Sequence, residues 1–299
     1  MTREHVTEGQ RMSDQLALLQ NRAAALAARL PALLLDAGRV AATVTQGAHS
    51  RRRGGPGDRF WQFRRSQPGD PMTAVDWRQS AKSDHYYVRE TEWAAAQTVW
   101  LWADPSASMR WHSRPDLPEK FDRACLLAVA LAMLLEQAGE RIGLLGGPAP
   151  ATSGQAAPSR LAAGLLAAAA TGGLPNAPLP PHANLVLISD YWMTLEDLDR
   201  AIRRWTAAGV RGHLVQVLDP AEESLPYAGR IRLIGLESDG DVLLAHAESL
   251  REAYRDRLER HQAGLAAIAR AANWGFTRHH TSQPARVALT SLYAAMAER

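Results

Sequence analysis

Residues 97–109 read QTVWLWADPSASM, and this stretch decides how the chain is read. Its first seven residues are rich in β-branched and aromatic side chains, the composition of a strand buried on both faces. The run stops at an Asp-Pro pair, which cannot continue a hydrogen-bonded ladder. A second run of the same kind, NLVLIS at 184–189, stops at Asp190. Between and after these two strands the pattern alternates. A helix is expected over about 119–138, with Phe121, Cys125, Leu127, Ala128, Leu131, Leu134 and Leu135 on its apolar side and Gly139 as its stop. RIGLLG at 141–146 reads as a strand, 147–158 as a loop, and an Ala- and Leu-rich helix capped by Ser159 runs to about 170. A helix near 195–208, a strand at 213–218, a further candidate strand at 230–235, an amphipathic helix near 250–272 and a last strand near 274–281 complete the series. Alternation of this kind predicts an α/β fold, a three-layer, mostly parallel, doubly wound sheet.

The region before this series has a different texture. Met12, Leu16, Leu19, Ala23, Leu26 and Leu30 fall at steps of three and four, one stripe of a helix, which packs either on its own domain or on a partner helix. Residues 49–82 are dominated by glycine, proline and charge and read as ordered loop with short strands, with Phe60, Trp61, Phe63 and Trp77 in need of burial. The expected organisation is an N-terminal helix and Arg/Gly/Pro-rich segment over 1–95, followed by the α/β domain over 96–299.

With 299 residues, 46% of them hydrophobic and 22% charged, the chain is long and apolar enough to bury a core. Cys125 is the one cysteine, which removes a disulfide framework and a multi-cysteine zinc site. The most apolar early stretch, 30–35, is about a third of the length a membrane span needs. It is flanked by Arg29, Asp36 and Arg39. A cytoplasmic protein without membrane insertion is the expectation.

In an open parallel sheet, sites form in the crevice at the carboxyl ends of the strands. The informative residues are therefore Asp104, Ser106 and Ser108 after the first strand and Asp190 after the second. One carboxylate followed at two and four residues by hydroxyls suits a hard cation such as Mg²⁺ or Mn²⁺, because all three oxygens can turn inward while other coordination positions stay open. A carboxylate from another protein can fill one of those positions. Asp190 would ligate directly or supply nearby charge. The competing reading makes the same Asp and Ser residues turn and cap residues without a metal.

At this point a resemblance becomes specific. DPSASM resembles the DxSxS element of the metal-ion-dependent adhesion site of von Willebrand factor A domains. GDRFWQFRRSQPGDPMTAVDWRQSAK at 57–82, DPSASM, LVLISD at 185–190 and VLDPAEESLPYAG at 217–229 resemble, in that order, the bacterial domain-of-unknown-function family numbered 58, over a stretch from about Arg51 to the C-terminus. The resemblance implies a von Willebrand factor A-like fold with Asp104, Ser106 and Ser108 as the metal motif and Asp190 as the later acidic ligand. For the threonine such sites take from an intermediate loop, Thr152 and Thr171 are within reach. It further implies a non-enzymatic partner of a MoxR-type AAA+ ATPase, acting on an unidentified client protein.

Other residues carry weaker signals. Asp70, Asp76 and Arg78 read as a turn Asp and a buried Asp-Arg pair, Glu222 and Glu223 as an acidic turn that could approach the crevice, and His279 and His280 as surface and core respectively, on opposite faces of a strand. A metal-dependent phosphotransferase centred on Asp104 would want a second acid where Ser106 stands, and Lys120, on a helix, offers no useful lysine. No Gly-x-Ser-x-Gly element and no phosphate-binding Gly-Lys-Ser/Thr loop is present. Six arginines between 51 and 65, interleaved with Phe60, Trp61 and Phe63, raise nucleic-acid binding as the alternative, although Asp70, Asp76, Asp84, Glu90 and Glu92 follow closely.

Overall fold

The computed structural model describes residues 53–55, 59–68, 70–93, 97–168, 172–236 and 240–297, with scattered positions between 14 and 24. Two compact units are present, one over Ala42–Ala96 and one formed by Met1–Ala41 with Gln97–Arg299.

In the smaller unit, β1 (Arg53–Gly55), β2 (Arg59–Arg65) and β3 (Tyr87–Trp93) form an antiparallel sheet with β3 in the middle. The register of β2 slips between Phe60 and Gln62. Asp70 takes both amino groups of Arg64 at 2.6 Å and the backbone N–H of Gln67 at 2.7 Å, which lowers its pKa to about 2. The expected Asp76–Arg78 pair is corrected: Asp76 caps the short helix α1 (Trp77–Ser80) by accepting from the Gln79 N–H at 2.9 Å, and Arg78 is exposed. A carboxylate one residue before a helix is captured by the orphan N–H groups of its first turn. Trp77 is not buried either; it lies exposed, edge-on to Tyr86.

The larger unit contains, in chain order, β4 (Thr98–Ala103), α2 (Lys120–Gln137), β5 (Arg141–Leu144), α3 (Ala156–Leu166), β6 (Asn184–Ser189), α4 (Leu195–Ala207), β7 (Arg211–Leu218), α5 (Pro220–Ser224), β8 (Ile231–Ile234), β9 (Asp241–Leu244), α6 (Arg251–Ala271), β10 (Gly275–His280) and α7 (Ala285–Ala297). Five strands form one sheet in the order β10-β7-β6-β4-β5, with every pairing parallel. The molecule is thus a mixed α/β protein built on a central parallel sheet, compatible with a Rossmann-like fold.

The two-residue repeat of the strands sorts the core. Val99, Leu101, Ala103, Val186, Ile188, Val215 and Val217 face α2, α3 and α7, while Trp102, Leu185, Leu187 and Leu214 face α4 and α6. Leu16 packs on the first of these clusters; the other apolar positions of the N-terminal stripe lie outside the described residues. α2 is buried nearly all round because it is pressed between the sheet and two further helices, α3 and α7. Gly139, at φ +81°, ends it in the left-handed region that glycine enters without cost.

Several boundaries differ from the sequence reading. The candidate strand at 230–235 does not join the main sheet; β8 pairs with β9 as a separate antiparallel hairpin with Ile234, Val242 and Leu243 exposed. Helix α3 begins before Ser159, since Pro158 fits a first turn where its missing N–H would have had no partner. Helix α7 was not foreseen. His279 is the buried member of its pair and His280 the half-buried one, because the β10 register sets His279 beside Val217 on the α2 face. There Arg123 of α2 reaches its Nε2 at 2.8 Å.

Candidate functional site

Numbered within the sheet alone, the strand order is 2-1-3-4-5 from the β5 edge, the flavodoxin-like arrangement. The chain leaves β4 toward one edge and returns on its other side at β6, which opens a crevice between the carboxyl ends of those two strands. Asp104 and Asp190 are the residues that follow them. The Asp104 N–H donates to the Ile188 carbonyl at 2.9 Å and carries the ladder one residue further.

Asp104 is almost fully buried. One carboxylate oxygen accepts from the Ser106 N–H at 2.9 Å, and the other accepts from the Ser189 hydroxyl at 2.6 Å. Burial nevertheless raises its pKa, because those two donors and a further hydrogen bond to the Ser106 side chain do not replace the water it has lost, and Asp190 adds repulsion. A 3-10 turn at Ala107–Met109 brings the next two hydroxyls round: Ser106 Oγ lies 3.1 Å from Ser108 Oγ, and Ser108 Oγ donates to Asp190 Oδ2 at 2.8 Å. Ser106 is buried and Ser108 half-buried, so the row opens toward solvent at Ser108. Residues about eighty positions apart in the chain are thereby brought into one line of oxygens.

Asp190 is fixed from its other side. Its Oδ1 accepts from the Trp192 N–H at 3.1 Å and its carbonyl from Gln216 Nε2 at 3.1 Å. The intervening Tyr191 has φ +60°, a strained conformation for a bulky residue. It is held by its hydroxyl bond to the Leu187 carbonyl at 2.6 Å, by its N–H bond to Ser189 Oγ at 2.9 Å and by His261 on its carbonyl.

Two further residues complete it: Lys120, to which the sequence assigns no role here, and Glu222, whose turn the sequence allows to approach the crevice. Lys120, the first residue of α2, is wholly buried, and its ammonium lies 2.8 Å from Asp190 Oδ2 and 2.5 Å from Glu222 Oε1. Burial alone would lower its pKa, but the two carboxylates outweigh that effect and the pKa is raised. Glu222 both enters the crevice and closes the capping box of α5, with Oε2 accepting from the Asp219 N–H at 2.8 Å and Oε1 from Trp192 Nε1 at 3.0 Å. Its pKa is raised, by burial first, against the pull of Lys120. Asp219 is consumed by backbone donors, the N–H groups of Ala221 and Ser113. Lys120 is therefore central, contrary to the sequence reading that found no use for it.

Thr152 is not brought to the crevice. It bridges Ile142 near the start of β5, at the opposite end of the sheet, and Thr171 lies outside the described residues. Among the described residues no three His, Cys, Asp or Glu side chains are arranged to hold a metal ion, so a cation in the crevice would have to use the serine hydroxyls. Both Asp104 oxygens accept hydrogen bonds within the protein. Beside the crevice, Trp192, Leu195, Tyr254, Arg257 and His261 line a groove of about 530 Å³, with Trp192 stacked on His261. No helix among the described residues is long and apolar enough to cross a membrane.

The chain is similar to an uncharacterized protein of Mycobacterium tuberculosis and to one of Mycobacterium bovis, each 29% identical over 269 residues, which cover 81% of this chain and 80% of the relative. Among solved structures it resembles the conserved hypothetical protein BatB from Bacteroides thetaiotaomicron, at 16% identity and a TM-score of 0.42, and an aerotolerance-related membrane protein from Bacteroides fragilis, at 14% identity and a TM-score of 0.40; each match covers 68% of this chain and all of the other. The family described as Protein of unknown function DUF58 matches residues 62–264. That match takes in part of the second strand and all of the third strand of the small sheet, the serine turn, the Asp190 corner and Glu222, and on it the protein belongs to the DUF58 family.

Proposed function

We propose that this chain is a non-enzymatic binding module of von Willebrand factor A type, in which Asp104, Ser106, Ser108 and Asp190 hold a Mg²⁺ or Mn²⁺ ion that receives a carboxylate from a partner protein. The observation that carries the reading is the row Ser106 Oγ, Ser108 Oγ, Asp190 Oδ2, spaced at 3.1 and 2.8 Å. Adjacent ligands of an octahedral Mg²⁺ at 2.0–2.1 Å stand about 2.9 Å apart, so the row has the spacing of a ligand edge.

Charge supports the fit. Asp104, Asp190 and Glu222 share the crevice with the ammonium of Lys120, and both Asp104 and Glu222 are held above their usual pKa by burial. A cation would relieve that surplus. When bound, it supplies a Lewis-acidic attachment point for a carboxylate. The protein's own contribution is to fix Asp104 through Ser189 and its turn, to set Ser108 against Asp190, and to pin Asp190 through Trp192 and Gln216. The groove at Trp192 and Arg257 gives a docked protein an aromatic and cationic surface next to that point.

Membership in this family carries the further proposal that the partner is a MoxR-type AAA+ ATPase, with an unidentified client, in the cytoplasm. The test is capture of a purified MoxR-type ATPase by the immobilised chain in Mg²⁺ and in EDTA. Capture in Mg²⁺ that is lost in EDTA and in Ser108→Ala is the expected result. Capture indifferent to both changes would overturn the metal-dependent reading.

A further inference from the structure

We infer that Lys120 is a built-in counter-cation that competes with the divalent ion for Asp190, so that the crevice rests closed by lysine and accepts metal only as Lys120 gives up Asp190 and is retained by Glu222. The inference rests on the cation-site reading above and names how that site is regulated.

The geometry is specific. Lys120 Nζ and Ser108 Oγ both donate to one atom, Asp190 Oδ2, each at 2.8 Å. An ion that takes this oxygen as a ligand must displace or repel the ammonium already on it, since two cations sharing one carboxylate oxygen stand only a few ångströms apart in a site with little water to screen them. The second acceptor is built to keep the displaced lysine. Glu222 is held by the Asp219 N–H and by Trp192 Nε1, and the carbonyl of the same residue accepts from the Tyr254 hydroxyl at 2.5 Å, so the carboxylate stays in place when the ammonium shifts toward it.

The choice of residue points the same way. The chain has 34 lysines and arginines, of which only Lys82 and Lys120 are lysine, so an ammonium here is an exception to the chain's own habit. A compact ammonium on a flexible stem can move between two carboxylates, whereas a planar guanidinium would lock onto one of them. The position is also one that a helix disfavours. Lys120 opens α2, where the helix dipole repels positive charge, and the carboxylates of Asp190 and Glu222 offset that repulsion.

The experiment is calorimetric titration of MgCl₂ and MnCl₂ into the full chain, as wild type, as Lys120→Met and as Lys120→Met with Glu222→Gln, with thermal melts of each protein with and without the metal. Lys120→Met removes the competitor at nearly constant volume; the double variant removes one negative charge with it and keeps the test open should the single variant not fold. Metal affinity about tenfold or more above wild type in the folded variants, with a larger metal-induced rise in Tm, is the expected result. Folded variants that bind with wild-type affinity would overturn the role of Lys120 and leave the cation site standing. If neither metal binds any of the folded proteins, the cation-site reading falls, and the inference with it.

Discussion

Acidification should weaken this protein through His279. His279 is buried on the inner face of β10, with the Arg123 guanidinium at 2.8 Å from its Nε2, and burial together with the charge of Arg123 lowers its pKa from 6.5 to about 3. The folded protein therefore keeps the ring neutral in a range where the unfolded chain protonates it. Between about pH 6.5 and pH 3 the unfolded state binds the extra proton, so stability falls as pH falls. Each pH unit inside that window costs about 1.4 kcal/mol, so about 2.5 kcal/mol is lost between pH 7 and pH 4.5. For a unit of this size that corresponds to a Tm lower by roughly 5–10 °C. The assay is urea unfolding of wild type and His279→Gln at both pH values, since glutamine keeps an acceptor for Arg123 and cannot titrate. Asp104 and Glu222, whose pKa values are raised, act in the opposite direction, but equally in both proteins, so the difference between the two isolates His279. An identical loss of stability in both would refute the argument.

Two substitutions probe the frame of the site. Ser189→Ala removes the hydroxyl that donates to Asp104 at 2.6 Å and accepts from Tyr191 at 2.9 Å, and should cost about 1–3 kcal/mol in denaturant unfolding, with the Tyr191 corner loosened. Gly212→Ala would set a Cβ 2.1 Å from the Trp274 ring, closer than any real contact, and should lower Tm by several degrees at about 1–3 kcal/mol while leaving cation binding to the folded protein intact. Unchanged unfolding in either variant would show that the packing drawn here is wrong at that place.

Part of this site was legible in the sequence and part was not, for identifiable reasons. Asp104 and Asp190 could be found because each follows an apolar run, and the ends of parallel strands meet at one edge of the sheet. Ser106 and Ser108 followed from spacing. Lys120 was hidden because a helix periodicity says which residues are apolar and nothing about where the helix start points. A signal did exist: a lysine, rare in this chain, opening a largely apolar helix at the end where a cation is least favoured. Glu222 read as part of a turn, and it is one, but β7 lies beside β6, so the same turn overhangs Asp190. His279 and His280 were exchanged because a one-residue register shift swaps the two faces of a strand. The hairpin of β8 and β9 carries the residue types of a core strand with its apolar side exposed, which no local pattern distinguishes from a strand of the main sheet.

The proposed function stands on a divalent cation in the crevice after β4 and β6. Calorimetric titration of Mg²⁺ and Mn²⁺ into wild type and Asp104→Ala, with a thermal melt to establish that the variant is folded, tests it most directly. Saturable binding by the wild type that disappears in folded Asp104→Ala is the predicted result; equal binding by both proteins, or none by the wild type and none by the folded Lys120→Met variant, would contradict it.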